Sequence, residues 1–428
     1  MSSPVSVVIL AAGKGTRMKS ATPKVLHPLC GRSILAWVLD QAATLDPQKI
    51  VVVVGHQGDL VSQEAHAAVA GSALEGRLVC VTQEPQLGTG HAVQVAAPSL
   101  GTSPGTVVVL YGDMPLLRGE TIEELVAQQA EGGDGCVAFL TAIYDDPHGY
   151  GRLIRDDEGL FSAIVEEKDC DDDQRMVDEC NLGVYAFDGP KLLEDLPRLG
   201  QDNAQGEMYL TDIPGMAVEA GREVRPVQIV DADEGLGIND LTQLAAARWE
   251  LQTRILTDHM DNGVQILDPS TAWIDHGVSI GAGTKVLPSV VIESGVQIGA
   301  NCSVGPFSHL RVGTVLSDRA EIGNFTECKN TSVGEGSKAK HLSYLGDTHI
   351  GAKANIGAGT IFANYDGKKK HRTEVGDGAF IGSGTIVVAP NTVPKNSITG
   401  AGAVITRKAE MGEGETWAGL PAKRLRSN

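Results

Sequence analysis

Several residue types and patterns are scarce in this sequence, and some of these scarcities exclude a class of protein. Phe, Trp and Tyr together make up only 4% of the 428 residues. The seven cysteines are scattered and form no CxxC pair, which argues against a disulfide framework and predicts reduced thiols. No apolar run approaches the ~18 residues of a membrane-spanning helix, and no basic, apolar and cleavage-site pattern opens the sequence. We therefore expect a cytoplasmic protein with no membrane span.

Positive charge is also scarce. Lys and Arg number 35 against 54 Asp and Glu, so the formal net charge is −19. A nucleic-acid-binding protein needs a basic face, so we expect no nucleic acid partner. A small phosphorylated substrate needs only a few local cations and is still compatible with this balance. The length exceeds that of one ordinary hydrophobic core, which predicts at least two domains.

The second half of the sequence carries a six-residue repeat. Eight aliphatic residues follow one another at this spacing: Ile280, Val286, Ile292, Ile298, Val304, Leu310, Leu316 and Ile322. The pattern returns at Ile350, Ile356 and Phe362, and then at Val375, Ile381, Val387 and Val393. A period of six fits neither a helix nor a simple strand, and an all-β sandwich would not keep it. It predicts a left-handed parallel β-helix over residues 263–428, with coils of about 18 residues.

The first half alternates predicted strands and helices. Apolar runs rich in β-branched residues predict strands at 5–12, 50–54, 78–82 and 107–110, with helices at 34–45 and 60–69 between them. This order predicts a doubly wound, Rossmann-like α/β domain over residues 1–238. Residues 239–262 follow as a predicted linker helix. In such domains, ligands bind beyond the carboxyl ends of the strands.

Polar residues cluster at those predicted strand ends. The glycine-rich loop at residues 13–17 can bind phosphate through its backbone N–H groups, although it lacks the Walker and dinucleotide signatures. A tight turn without a ligand is the alternative. Arg17 and Lys24 supply cations, Asp113 a carboxylate for Mg²⁺, and Gln83 an amide that can pair with a pyrimidine. This set predicts phosphoryl chemistry on a nucleotide.

The motifs LAAGKGTRM, PKVL, QLGTGHA, YGD, GYGR, IVEEKD and NLGVY resemble the nucleotidyltransferase half of a bacterial family. That family is the bifunctional N-acetylglucosamine-1-phosphate uridyltransferase and glucosamine-1-phosphate N-acetyltransferase. The resemblance implies nucleotide contacts at Leu10, Ala11, Ala12, Gly13, Lys24, Gln83, Gly88, Thr89, Tyr111, Gly112 and Asp113. It implies catalytic roles for Arg17 and Lys24 on the phosphates, and Mg²⁺ on Asp113 and Asn239. It further implies sugar binding at Gly151, Glu166, Asn181 and Asn239, and attack of the sugar phosphate on the α-phosphorus of UTP.

A second group of polar residues interrupts or flanks the six-residue repeat. An amine that attacks a thioester must lose a proton, and His341 is suited to accept it as a general base. Arg311 and Lys329 suit a sugar phosphate, and the Asn364 amide can donate to a thioester oxygen. An ordinary surface histidine is the alternative for His341.

The motifs GNFTECK, KAKHLSYLGD, NIGAGT and ANYDG resemble the acetyltransferase half of the same family. The resemblance implies that His341 is the proton acceptor and that glucosamine 1-phosphate is bound by Arg311, Lys329, Tyr344 and Asn355. It implies acetyl-CoA contacts at Ala358, Asn364, Tyr365, Ser383 and Ala401. It also implies a homotrimer with sites between neighbouring chains. The family's tail arginine is missing near residues 417–419, and Lys423 or Arg424 is expected to replace it. The lysine run at 368–370 is expected to be a solvated loop.

These observations predict a bifunctional enzyme of UDP-N-acetylglucosamine synthesis. The second domain would acetylate glucosamine 1-phosphate with acetyl-CoA, and the first would couple N-acetylglucosamine 1-phosphate to UTP with Mg²⁺. One alternative is a sugar nucleotidyltransferase whose β-helix serves only assembly or regulation. Another is a non-catalytic scaffold or sensor of sugar nucleotides.

Overall fold

The computed structural model describes residues 4–427, which form two compact units divided between Arg248 and Trp249. The strands of the first unit are β1 Val5–Ala11, β2 Pro28–Leu29, β3 Arg32–Ser33, β4 Lys49–Val54, β5 Leu78–Thr82, β6 Thr106–Tyr111, β7 Val137–Ile143, β8 Gly151–Arg155, β9 Phe161–Val165, β10 Glu179–Asp188 and β11 Val224–Gln228. Its helices are α1 Ile34–Ala43, α2 Gly58–Val69, α3 Thr89–Leu100, α4 Gly119–Glu131, α5 Gly189–Asp195 and α6 Asp212–Glu219, and α7 Leu241–Asp261 continues into the second unit.

The first unit is built on one large sheet in the order β11-β7-β10-β6-β1-β4-β5. Its central strands are parallel, and side chains alternate between two apolar layers: Val7 and Ile9 enter one layer and Val8 the other. Burial on both faces explains why β1 is a continuous apolar run. The predicted doubly wound domain is confirmed. The sequence did not predict that β10 would run antiparallel to both of its neighbours and carry the β8–β9 hairpin at its start.

Helix α7 begins with a reciprocal cap. The Asp240 carboxylate accepts the N–H of Gln243 at 2.9 Å, and the Gln243 side chain accepts the N–H of Asn239 at 2.7 Å. These bonds satisfy backbone donors at the start of the helix and fix the position of Asn239. Further along the same helix, Leu256 packs into the core of the second unit.

The second unit consists of short strands that stack into three parallel sheets. The strands are β12 Gln265–Ile266, β13 Trp273–Ile274, β14 Ser279–Ile280, β15 Lys285–Val286, β16 Val291–Ile292, β17 Gln297–Ile298, β18 Ser303–Val304, β19 His309–Leu310, β20 Val315–Leu316, β21 Glu321–Asn324, β22 Glu327–Lys329, β23 Ser332–Val333, β24 Lys338–His341, β25 Tyr344–Gly346, β26 Thr348–Ile350, β27 Asn355–Ile356, β28 Ile361–Ala363, β29 Thr373–Val375, β30 Phe380–Ile381, β31 Ile386–Val388, β32 Asn391–Val393, β33 Ile398–Thr399, β34 Val404–Ile405, β35 Glu415–Gly419 and β36 Ala422–Ser427. Every third strand joins the same sheet from β12 to β34, which is the predicted left-handed parallel β-helix. Antiparallel β35 and β36 close one sheet.

The six-residue ladder forms the core of this β-helix. All its predicted members are buried except Ile280, which is partly buried against the same core. Where the ladder was interrupted in the sequence, the core continues through Cys328, Val333, Ala339 and Leu345. The stacked partners Leu310 and Cys328 are 18 residues apart, whereas Cys328 and Leu345 are 17 apart. The core steps from Cys328 to Val333 and from Leu345 to Ile350 are five residues long, so two coils are one residue short. A strict period of six therefore did not predict this region.

Within residues 4–427, the helices are too short or too polar to cross a membrane.

Candidate active sites

The first candidate site is a cavity of about 360 Å³ beyond the carboxyl ends of β1, β5 and β6. The residues predicted for the nucleotide line it as follows: Leu10, Ala11, Ala12, Gly13, Lys24, Gln83, Gly88, Thr89, Tyr111 and Asp113. Gly112 is the exception, because its N–H donates to the Leu10 carbonyl at 2.9 Å and ties the end of β6 to β1. Gln83 lies at one side, and its amide donates to the Gly88 carbonyl at 2.9 Å.

A second cavity, of about 340 Å³, adjoins the first and shares Tyr111, Asp113 and Asn239 with it. It contains the other residues predicted for the sugar and phosphates: Arg17, Gly151, Glu166 and Asn181. Gly151 pairs with Asn181 across β8 and β10, and Glu166 directly follows β9. A Cβ at position 151 would lie 3.6 Å from the Glu166 carboxylate, so glycine keeps this part of the cavity open. The two cavities together form one crevice with a shared wall.

At the shared wall, the ammonium group of Lys24 lies between two side-chain oxygens. The Lys24 ammonium donates to the Asp113 carboxylate and, at 3.0 Å, to the side-chain oxygen of Asn239. The two oxygens belong to residues far apart in the sequence, yet they converge on the same positive group.

This arrangement tests whether Mg²⁺ fits the site. Magnesium prefers oxygen ligands, keeps several of its waters and therefore needs few protein ligands. Asp113 and Asn239 supply two oxygens that already surround a cation. Within residues 4–427 no group of three or more His, Cys, Asp and Glu side chains forms a fuller metal cage. The residues present fit a small, hard cation at this position.

Glu166 lies in a buried part of the second cavity. Burial raises the pKa of its carboxyl above the usual value, and the Thr211 hydroxyl, which donates at 3.1 Å, opposes this rise. The residue before Thr211 contacts the lining of the first cavity, since the Leu210 N–H donates to Thr89 Oγ1 at 3.1 Å. The segment before α6 therefore connects the two cavities.

The sequence analysis missed several residues that line the crevice. Gln86 and Glu207 line the first cavity, and Tyr150 and Gln243 line the second. Gln86, Tyr150 and Gln243 lie close in the sequence to residues that were predicted. Glu207 has no such signal, because only the fold brings it beside Gly88.

In the β-helix, the two cations predicted to bind the phosphate, Arg311 and Lys329, lie near a third cation, Lys370. Lys370 lies close to Lys329 and, together with the charge of Arg311, holds the pKa of the Lys329 ammonium below its usual value. Glu327 orients Arg311 through a 2.9 Å hydrogen bond. Lys368, Lys369 and Lys370 are exposed, as expected of a solvated loop, and Lys370 also lies beside Lys329. A cluster of like charges of this kind is suited to a phosphate.

Tyr344 begins β25 and Asn364 directly follows β28, and both strands belong to the same sheet as β22, which contains Lys329. The Asn364 side chain is buried and donates to the Asp347 carboxylate at 2.5 Å, with the Tyr344 hydroxyl 3.5 Å away. Asp347 thereby fixes the amide. Tyr365, the next residue, is exposed.

His341 ends β24, at the turn that leads into the sheet of Tyr344. Its ring is exposed and, among residues 4–427, makes no hydrogen bond. Asn355 begins the neighbouring strand β27. In the single chain, the described contacts of His341 include neither Lys329 nor Asn364.

The residues predicted for acetyl-CoA form a column along the same edge. Ala358, Ser383 and Ala401 occupy equivalent turns, since the Gly384 N–H donates to the Ala358 carbonyl at 2.7 Å and the Gly402 N–H to the Ser383 carbonyl at 2.8 Å. Such a column of small residues leaves room for an extended ligand.

The two expected replacements for the tail arginine differ. Arg424 donates to the Glu415 carboxylate at 3.0 Å. Hydrogen bonds from the Gly412 N–H, the Trp417 indole and Arg424 lower the pKa of Glu415 to about 2. Both side chains are exposed, but Arg424 is paired with Glu415 within the β35–β36 hairpin.

Comparison with known proteins finds relatives for both units of the chain. Residues 7–173 match the MobA-like NTP transferase domain, and residues 277–312 match the bacterial transferase hexapeptide model of six repeats. The bifunctional protein GlmU of Pelobacter propionicus is 44% identical over 95% of this chain and 94% of its own length. The GlmU proteins of Alkalilimnicola ehrlichii and Thermobifida fusca are each 45% identical, over 96% and 94% of this chain and 93% and 90% of their own lengths.

The chain belongs to the bifunctional GlmU family. Membership accounts for the joining of a nucleotidyltransferase unit to a hexapeptide-repeat acyltransferase unit in one polypeptide. Nucleotide and sugar-phosphate substrates follow from it. In this GlmU-family chain, the crevice of the first unit and the polar edge of the β-helix are therefore the two candidate reaction centres.

Proposed function

We propose that the first unit transfers a uridylyl group from UTP to N-acetylglucosamine 1-phosphate, with Mg²⁺ held by Asp113 and Asn239. The supporting observation is the shared wall between the two cavities, which would bring a nucleotide phosphate beside a sugar phosphate. Gln83 would bind the base, and Gly151, Glu166 and Asn181 the amino sugar. When bound, Mg²⁺ supplies neutralisation of the triphosphate charge.

The residues of the crevice act by positioning and charge. Arg17 and Lys24 bind phosphate oxygens, so that the negatively charged nucleophile can approach. An oxygen of the sugar phosphate forms a bond to the α-phosphorus of UTP, and the bond to the β-phosphate bridge oxygen breaks. Pyrophosphate leaves with its electron pair, and no covalent enzyme intermediate is needed.

We propose that the β-helix transfers an acetyl group from acetyl-CoA to glucosamine 1-phosphate. Arg311, Lys329 and Lys370 bind the phosphate, with Tyr344 and Asn355 along the sugar. The amine nitrogen of glucosamine 1-phosphate attacks the thioester carbonyl, and His341 takes a proton from that nitrogen. The C–N bond forms, the C–S bond breaks, and the CoA sulfur leaves as a thiolate that is then protonated. Asn364 and Tyr365 line the coenzyme end with Ala358, Ser383 and Ala401.

A homotrimer is part of this proposal. Phe307, Phe325 and Leu342 form an exposed apolar column beside His341, with the two phenyl rings stacked at 5.3 Å between centroids. Exposed apolar columns are typical of interfaces between chains. A second copy of the chain on this column would cover it and would add residues to the exposed His341 edge. The cytoplasmic location stays a prediction from the cysteine pattern.

One assay of the wild type tests both activities by following pyrophosphate and CoA thiol separately. We expect Asp113→Asn to lower uridylyl transfer by about 10²–10³-fold, because a metal ligand and charge are lost, with acetyl transfer unchanged. His341→Ala should lower acetyl transfer by about 10²–10⁴-fold, the usual contribution of a general base, with uridylyl transfer unchanged. Absence of thiol release in the wild type would favour the single-activity alternative. Loss of both activities in either folded variant would contradict the partition.

A further inference from the structure

Arg152 is a buried charged residue that the proposed chemistry does not use. Only 2% of its surface is exposed, and it follows Gly151 directly in β8. A buried guanidinium is unfavourable unless it is paired and hydrogen-bonded. Its Nε has no hydrogen-bond partner among residues 4–427, so its other two nitrogens hold it in place.

Those two nitrogens hold different parts of the hairpin. Nη2 lies 2.7 Å from the Glu167 carboxylate, and Nη1 donates to the carbonyl of Tyr150. The same Glu167 carboxylate accepts the N–H of Gly149 at 3.4 Å and lies 3.5 Å from His148 Nδ1. The turn before β8 and the residues after β9 are thus joined through one ion pair.

Arg152 and Glu167 each directly follow a residue that lines the second cavity. Gly151 and Glu166 line that cavity, whereas Arg152 and Glu167 do not. Adjacent residues of β8 point to opposite faces, so Arg152 points away from the face of Gly151, and Glu167 lies in the turn after β9. The ion pair therefore lies outside the cavity lining and joins β8 to the turn after β9, next to Gly151 and Glu166.

We infer that Arg152, paired with Glu167, is a positioning residue for the sugar subsite of the uridylyl-transfer centre, an inference that rests on the proposed function. Arg152 sets the separation of Gly151 and Glu166 without contacting the sugar. Arginine is required because its planar group binds a carboxylate and a carbonyl in two fixed directions, which a lysine ammonium does not reproduce.

The test compares steady-state constants of the full chain. Arg152→Lys keeps the charge but loses the second fixed direction, and we expect KM for N-acetylglucosamine 1-phosphate to rise about 10–100-fold, the usual effect of small misplacements. KM for UTP should change less than twofold, and acetyl transfer by the same chain should be unchanged. Arg155→Met is the matched control, because Arg155 lies on the same strand and pairs with Glu179 away from the cavity. It should leave both KM values unaltered.

A variant with one buried charge left unpaired is at risk of misfolding. The double variant Arg152→Met/Glu167→Met removes both charges and keeps similar volumes, and it should show the same selective rise in KM. Cooperative thermal unfolding and intact acetyl transfer establish that it is folded. Normal sugar KM in both folded variants, or an equal rise in KM for UTP, would overturn the inference. A wild type that releases no pyrophosphate would instead overturn the proposed function.

Discussion

At the residue scale, burial and one hydrogen bond have opposite effects on the pKa of Glu166, the carboxyl proposed to bind the sugar. Burial raises the pKa of this carboxyl, with Asp169 and Asp212 adding to the rise, and the Thr211 hydroxyl lowers it. As pH falls, a carboxyl with a raised pKa is protonated sooner than an ordinary one. The ionised form, which would accept sugar hydroxyls in the proposed function, is therefore lost at a higher pH than an ordinary carboxylate.

Removal of the Thr211 hydroxyl should make this loss occur at higher pH. In Thr211→Val, the ionised carboxylate loses a donor, so the pKa of Glu166 rises further and the acidic increase in KM for the sugar phosphate starts at higher pH. Thr211→Ser keeps the hydroxyl and serves as the control. The measurement is KM for N-acetylglucosamine 1-phosphate as a function of pH. Coincident profiles for the Val and Ser variants would show that the hydroxyl does not tune Glu166.

Much of the first site could be predicted at this scale because its residues lie in short loops after strands. Gly13, Gln83 and Asp113 each follow a recognisable apolar run, and parallel strands bring such loops together. Asp169 and Arg152 could not be predicted. Asp169 stands in an acidic tract typical of solvated loops, yet it accepts the Ala204 N–H at 2.8 Å and the Tyr209 hydroxyl at 3.2 Å. Contacts between residues this far apart leave no local pattern.

At the element scale, the loop between β28 and β29 replaces part of one β-helix coil. Asp366 stabilises its turn by accepting the N–H groups of Lys368 and Lys369 at 2.9 and 2.7 Å and pairing with His371. The turn directs Lys370 towards Lys329, whose pKa is lowered as a result. In the free protein the ammonium groups of Lys370 and Lys329 therefore repel each other, and a bound phosphate would relieve this repulsion.

Lys370→Gln should raise the thermal stability of the free protein and weaken its binding of glucosamine 1-phosphate. Without its neighbour, Lys329 regains a pKa nearer the usual value, so the free protein should unfold at a slightly higher temperature at neutral pH. The KM for glucosamine 1-phosphate should rise several-fold, because one phosphate ligand is lost. Lys368→Gln, in the same loop, is the control and should change neither quantity. A lower unfolding temperature together with an unchanged KM would contradict the assignment.

The sign of the pH effect follows from the lowered pKa. Between the folded and the usual pKa of Lys329, the unfolded chain binds more protons than the folded chain, so stability increases as pH rises through this range. Below the folded pKa, both states are protonated and the full repulsion is present. In Lys370→Gln this alkaline gain in stability should be smaller, which thermal unfolding across the range would measure.

The β-helix itself was predictable because each coil is specified locally. Val304 and Ile322 recur at fixed spacing, since each turn places one side chain in the core. The interrupted region was not predictable, because Cys328 and Ala339 are not distinctive core residues in a sequence and the coils there lack one residue. Burial raises the pKa of the Cys328 thiol far above its usual value, so this cysteine is a core residue and not a nucleophile.

At the scale of the whole molecule, the two proposed reaction centres should differ in their need for other chains. The crevice of the first unit already brings together, within one chain, the residues proposed for uridylyl transfer. The His341 ring, in contrast, is exposed at an edge beside the Phe307, Phe325 and Leu342 column. A neighbouring chain is therefore required in the proposal for acetyl transfer but not for uridylyl transfer.

Phe325→Glu tests this difference. Phe325 lies between Phe307 and Leu342 in the column, and a carboxylate there would have to be buried without a partner at the interface. We expect sedimentation equilibrium to show monomers in place of trimers, acetyl transfer to fall by at least about 10²-fold with the loss of completed sites, and uridylyl transfer to be unchanged. Val230→Glu, at an exposed apolar position of the first unit, is the control and should remain trimeric. A monomeric variant with full acetyl transfer would exclude a shared site, because each β-helix would then contain every group that the reaction needs.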